Sequence, residues 1–165
     1  MTDKIKNKII TADQVFRDPI NFLAFGFGSG LAPKAPGTFG TLASIPLYYY
    51  LSQLDFNFYL ISCLIISVVG IFICGYTAKK LKIHDHPGIV WDEFAGFFIT
   101  MIGVKFSWLN VVIGFILFRL FDILKPWPIS WLDKKISGGL GIMVDDILAG
   151  IFAMFCLHFI LSYMP

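Results

Sequence analysis

Polar and apolar residues come in long blocks along this chain. Five apolar segments stand out: Leu42 to Leu54, Phe56 to Tyr76, Phe94 to Val104, Phe106 to Phe118, and Ile147 to Tyr163. About 20 apolar residues are needed for a helix to cross a bilayer. Phe56 to Tyr76 meets that length without a single charge and is the clearest spanning helix. Ile147 to Tyr163 approaches it, with His158 near its far end, where a structural role is expected. The other three are short unless polar flanks extend them. The middle pair has two readings. Phe94 to Phe118 is either one long helix, or two antiparallel helices that turn at Lys105 and Ser107. Charge favours the second. With the N-terminus inside and five crossings, the outer loops hold only Asp55 and Lys105. All but one of the 13 Lys and Arg then lie inside, as the positive-inside rule requires.

The pattern therefore predicts an all-α integral membrane bundle. It has about five membrane-embedded helices and a re-entrant or short-helix inner face. Pro33, Pro36, Pro87, Pro126 and Pro128 fall in the inner loops, where helices end. No repeat or linker divides the chain, so residues 1–165 read as one domain, with 1–20 as a basic cytoplasmic tail.

Composition supports lipid as the solvent. The chain is 57% apolar and only 15% charged, with a mean hydropathy of +0.77. Soluble domains run near 45–50% apolar and about 25% charged. A soluble chain this short could not hide so much apolar surface. The net charge of +2 is too small to argue for nucleic acid. Cys63, Cys74 and Cys156 show no metal-ligand spacing and read as small buried residues. The first 19 residues carry Lys4, Lys6, Lys8 and Arg17 but no apolar run of signal-peptide length.

Three constellations carry candidate chemistry. The first is a set of acids expected on the inner face: Asp85 in HDHPG, Asp92 and Glu93 in IVWDEFAG, Asp122 in FRLFDILKPWP, Asp133 in WLDKK, and Asp145 with Asp146 in GIMVDDILAG. Acids beside apolar helices usually face a polar cavity or a partner. Convergent carboxylates repel unless a cation joins them, and hard oxygen ligands suit Mg²⁺. The competing reading is helix caps and interfacial charges. The second is the loop GSGLAPKAPGTFGT, Gly28 to Thr41, with the hydroxyls of Ser29, Thr38 and Thr41 and with Lys34. Its glycines would let backbone N–H groups approach a phosphate, or simply form a turn. The third pairs Arg119 and Lys125 around Asp122; Arg and Lys both suit phosphate, and both also suit positive-inside anchoring beside Trp127 and Trp131. His84 and His86 flank Asp85 and suggest an interfacial loop, with an acid–base role as the alternative.

Other phosphatase and transferase patterns are missing. No Cys is followed six positions later by Arg, and the chain has only two arginines, Arg17 and Arg119, too few for a histidine-based lipid phosphatase. Carboxylate-and-metal chemistry is what remains. The stretches GSGLAPKAPGTFGTL, IVWDEFAG and FRLFDILKPWPISWLD…GGLGIMVDDILAG, in this order over Gly28 to Gly150, resemble the phosphatidylglycerophosphatase A family. The resemblance implies a Mg²⁺-dependent phosphatase of the bacterial inner membrane that converts phosphatidylglycerophosphate to phosphatidylglycerol at the cytoplasmic face. On that reading Asp92, Glu93, Asp122, Asp145 and Asp146 are candidate metal ligands. Asp92, Glu93, Asp122 and Asp146 are also candidate catalytic groups. Ser29, Lys34, Thr38, Arg119 and Lys125 would hold the phosphate. The alternative is a small carrier or channel component with cation-binding acids, which would place those acids nearer the bilayer midplane.

Overall fold

The computed structural model describes residues 10–83 and 86–164. His84 and Asp85, and the lysines at 4, 6 and 8, lie outside the described residues. Within them the chain is all helix, with no strand. The order is α1 (Ala12–Phe16), α2 (Pro19–Ala24), a kinked 3₁₀ turn (Gly26–Leu31), α3 (Pro36–Leu51), α4 (Phe56–Leu81), α5 (Trp91–Thr100), α6 (Trp108–Leu124), α7 (Ile129–Lys135) and α8 (Gly138–Ser162). Two of these, α4 and α8, are long and apolar enough to cross a membrane.

The middle segment is two helices. Gly103 takes a left-handed φ of +75°. Ser107 then caps α6 by accepting from the Asn110 N–H at 3.1 Å, and the Asn110 amide donates to the Lys105 carbonyl at 2.9 Å. Every helix begins or ends away from the edge of its apolar run, because a backbone ladder continues through polar residues once a neighbour shields it. The largest shift is in α8, which starts nine residues before Ile147. Asp145 and Asp146 are therefore inside a helix, well past its first turn, and not at its mouth. That corrects the expectation that they abut it, and it removes their reading as caps.

α5 is the central element. It packs against α3, α4, α6 and α8, and all its residues except Asp92 are buried. A helix end buried this way needs partners for its carbonyls. Tyr59 donates to the Phe98 carbonyl at 2.7 Å, and Tyr48 donates to the Val104 carbonyl just beyond α5 at 3.2 Å. At its other end the Trp91 indole donates to the Ile66 carbonyl of α4 at 3.2 Å. Ile66 is ten residues into α4, so α5 begins roughly 15 Å along it. The inner half below α5 is filled by other chain. The Val90 N–H donates to the Ala24 carbonyl at 2.8 Å, and a Cβ on Gly30 would fall on the Gly88 carbonyl. These segments form one packed end of the bundle. Residues 10–20 belong to it, since Val15 is fully buried, so the tail expected there is folded.

Glycines set how closely the long helices approach. A Cβ on Gly150 of α8 would fall on the Gly96 carbonyl of α5, and one on Gly139 would fall on the Ile71 carbonyl of α4. Small residues at such crossings let backbones touch where apolar burial gives no driving force in lipid.

Candidate functional site

The Gly96–Gly150 contact holds the acid-bearing turns of α5 and α8 side by side. Between them, and closed by α6, α7 and the start of α3, lies a cavity of about 440 Å³. Six carboxylates line it: Asp92, Glu93, Asp122, Asp133, Asp145 and Asp146. Two cations line it with them, Arg119 and Lys125. Asp146 is 3% exposed and Asp145 and Glu93 are each 7% exposed, so solvent does little to spread this charge.

The ion pairs divide the site in two. Arg119 Nη1 binds Glu93 Oε2 and lies 2.9 Å from Asp122 Oδ2. Thr41, buried on the inward face of α3, donates to the same Glu93 oxygen at 3.0 Å. A Cβ on Gly37 would collide with the other Glu93 oxygen, so the glycine makes room for this carboxylate. At the opposite wall Lys125 binds Asp145 Oδ2 and lies 3.3 Å from Asp133 Oδ1. Lys125 caps α6 beyond its last turn. Burial pulls its pKa down, but the Asp145 and Asp133 carboxylates outweigh that and hold it above the ordinary lysine value. It is charged at any physiological pH.

What remains between the walls is acidic and unsatisfied. One oxygen each from Asp122, Asp145 and Asp146 can lie within 4.8 Å of one another. Asp145 Oδ1 and Asp146 Oδ2 are buried with no hydrogen-bond partner, as is Arg119 Nε. An uncompensated buried carboxylate costs several kcal/mol. Hard oxygen donors converging without partners fit a divalent cation such as Mg²⁺.

The acids named from sequence thus come together, apart from Asp85, which lies outside the described residues. The glycine loop divides. Only its end, Ala35 to Gly37, lines the cavity. Ser29 donates to the Gly26 carbonyl at 2.8 Å and closes its own turn. Lys34 is exposed and Thr38 half-buried, and neither lines the cavity. Glycines 30 and 40 serve close packing, against Gly88 and Val90. His86 Nδ1 accepts from the Gly88 N–H at 3.0 Å, which staples the re-entrant loop. His158 meets the Ile102 carbonyl at 2.8 Å on the far side of the bundle, as expected of a structural residue. Thr41, one of the loop's three hydroxyls in the sequence, was not among the residues expected to hold phosphate, and the structure places it against Glu93 instead.

A protein-family model, Phosphatidylglycerophosphatase A, matches residues 22–161. The chain belongs to the phosphatidylglycerophosphatase A family. A family member from Escherichia coli K12, named phosphatidylglycerophosphatase A, is 44% identical over 149 residues, covering 90% of this chain and 87% of the relative. One of the same name from Haemophilus influenzae is also 44% identical, over 89% and 91% of the two chains. A protein of Bacteroides thetaiotaomicron, provisionally named a phosphatidylinositol-3-phosphatase, is 36% identical over 78% of this chain and 84% of its own. No solved structure matches. The family match takes in every described acid of the cavity.

Proposed function

We propose that this chain is a Mg²⁺-dependent phosphatidylglycerophosphatase: it hydrolyses phosphatidylglycerophosphate to phosphatidylglycerol and inorganic phosphate in phospholipid synthesis. The observation that carries the reading is the pairing of family membership with a cavity lined by six carboxylates and two cations. A phosphomonoester is itself an anion. It enters such a site only if cations offset the carboxylates, so substrate and metal must belong to one charge balance.

Asp122, Asp145 and Asp146 would hold the Mg²⁺. When bound, it would neutralise the phosphomonoester and polarise its phosphoryl oxygens. The protein's own groups do the positioning on which phosphoryl transfer mainly depends. Lys125, tethered by Asp133 and Asp145, offers a point charge to a phosphoryl oxygen. Arg119, clamped by Glu93, keeps Asp122 turned toward the other two acids. Asp92, at the first turn of α5, is our assignment for the group that takes a proton. Glu93 serves the site through Arg119.

We place the whole chain as one domain in the bacterial inner membrane. α3, α4, α5, α6 and α8 are its five membrane-embedded helices, with the N-terminus and the cavity mouth on the cytoplasmic side. A carrier would place its acids within membrane helices, and Asp145 and Asp146 do lie inside α8. Family membership is what favours the phosphatase. The test is phosphate release from phosphatidylglycerophosphate in mixed micelles, with Mg²⁺ and with excess chelator. Release should need the metal; full activity in excess chelator would overturn the metal assignment, and no release under any condition would overturn the function.

A further inference from the structure

The acid cavity is not the only hollow between α3 and α6. A second one of about 460 Å³ lies toward their other ends, lined by Ile45, Pro46, Tyr49, Tyr50, Phe106 and Trp108. Its lining is apolar apart from the tyrosine hydroxyls.

Helix spacing connects the two hollows. On α3, Thr38, Leu42, Ile45 and Tyr49 follow the three-or-four repeat that makes one stripe. This stripe starts beside Gly37, which lines the acid cavity. On α6, Trp108, Val112, Phe115 and Arg119 form the matching stripe, which ends in that cavity. The two helices thus meet at both hollows. Between them, Leu42 is 45% exposed and Val112 52%, so both stripes carry apolar side chains that the fold itself leaves uncovered.

The length of the seam matches one leaflet. Arg119 and Trp108 are eleven residues apart, roughly 16 Å of helix. Half of a bilayer's hydrocarbon core is about 15 Å. A diacyl lipid presenting its phosphomonoester to the acid cavity must send its acyl chains away from the cytoplasmic side, which is the direction in which this seam runs.

We propose that the α3–α6 seam, from Thr38 and Arg119 to the hollow at Tyr49 and Trp108, binds one acyl chain of the phospholipid whose phosphate occupies the acid cavity. The proposal rests on the phosphatase reading above. It makes the seam a binding subsite distinct from the general lipid-facing surface, and it gives the enzyme a preference for long-chain substrate that the headgroup alone could not supply.

The experiment compares dihexanoyl and dioleoyl phosphatidylglycerophosphate as substrates of the full chain in detergent. Leu42→Trp and Val112→Trp fill the seam; Leu64→Trp, on the exposed face of α4, is the control. The seam variants should lower kcat/KM for the dioleoyl substrate about ten-fold through KM, the effect of losing roughly two buried methylenes. They should leave the dihexanoyl substrate unchanged, and Leu64→Trp should leave both unchanged. In parallel, a phosphatidylglycerophosphate with a mid-chain diazirine is photolysed on the wild-type protein, and adducts should concentrate on Tyr49, Tyr50 or Trp108. Unchanged dioleoyl kinetics in the seam variants, or adducts spread evenly over α4 and α8, would overturn the proposal. Absence of phosphate release from both substrates by the wild-type protein would instead sink the phosphatase reading, and the labelling pattern would still decide the seam.

Discussion

At the scale of single residues, position within a helix decides what an acid can do. Asp145 and Asp146 are adjacent in sequence and each has one buried oxygen without a hydrogen-bond partner, but Lys125 holds the other oxygen of Asp145, whereas among the described residues no Lys or Arg pairs with Asp146. Removing the charge at Asp146 should therefore remove cation binding and little else. Asp146→Asn is expected to lose more than ~10²-fold in turnover, the usual weight of positioned charge stabilisation, while the variant still inserts. Asp55→Asn, at the turn before α4, should stay near wild type at matched protein level. Asp18 offers a separate test by pH. It caps α2 by accepting from the Ile20 N–H at 2.8 Å. Its hydrogen bond with Lys80 holds its pKa below the ordinary carboxylate value, against the opposing effect of burial. A depressed folded pKa stabilises above the unfolded value and ceases to as pH falls through the folded one. The stability gap between wild type and Asp18→Asn should thus be constant above about pH 5 and shrink below about pH 4, as followed by thermal unfolding in detergent. The acids were legible in the sequence because charge beside apolar runs is rare. Thr41 was legible only as a hydroxyl of the glycine loop, since nothing in the sequence tells that it faces inward and bonds Glu93.

At the scale of elements, the motif glycines explain themselves as contacts. Gly96 closes the acidic motif IVWDEFAG and Gly150 closes GIMVDDILAG. Only the fold shows that they touch, because helix crossings are set by tertiary packing and not by local pattern. Gly150→Ala would drive a methyl into the Gly96 carbonyl. We expect a loss of about 1–3 kcal/mol from overpacking, read by denaturation in detergent. Ile65→Ala, at a 55% exposed position of α4, should cost no more than about 0.5 kcal/mol. The glycine loop shows the limit of reading backbone freedom as phosphate binding. Gly30 is a contact with Gly88, and the loop seals the inner half of the bundle. Glycine marks close approach in both cases, and sequence alone does not name the approaching atom.

At the scale of the whole molecule, the asymmetry of basic residues was the most informative sequence feature. It separates α5 from α6, and the turn at Gly103 to Ser107 lies where Lys105 places it. What the pattern could not convey was depth. α5 is ten residues long and begins part-way along α4, so the apolar runs marked helices without marking where each sits across the bilayer. The proposed orientation is checked by reporters active only outside the cytoplasm. A fusion at Pro165 should be active and a fusion at the N-terminus silent; a silent, well-expressed fusion at Pro165 would reverse the five-crossing arrangement.

The two carboxylates inside α8 also bear on how the protein is made. An aspartate opposes insertion of a spanning helix by up to about 2.5–3.5 kcal/mol at its centre, and α8, a candidate span, carries a pair in its first half, offset by an otherwise strongly apolar sequence. Arg119 and Lys125 precede α8 in the chain, so both cations are synthesised before the acids that need them. Assembly order thereby becomes part of the design. On the proposed arrangement, the final helix would enter a bilayer in which its counter-charges already wait, and its insertion would close the acid cavity.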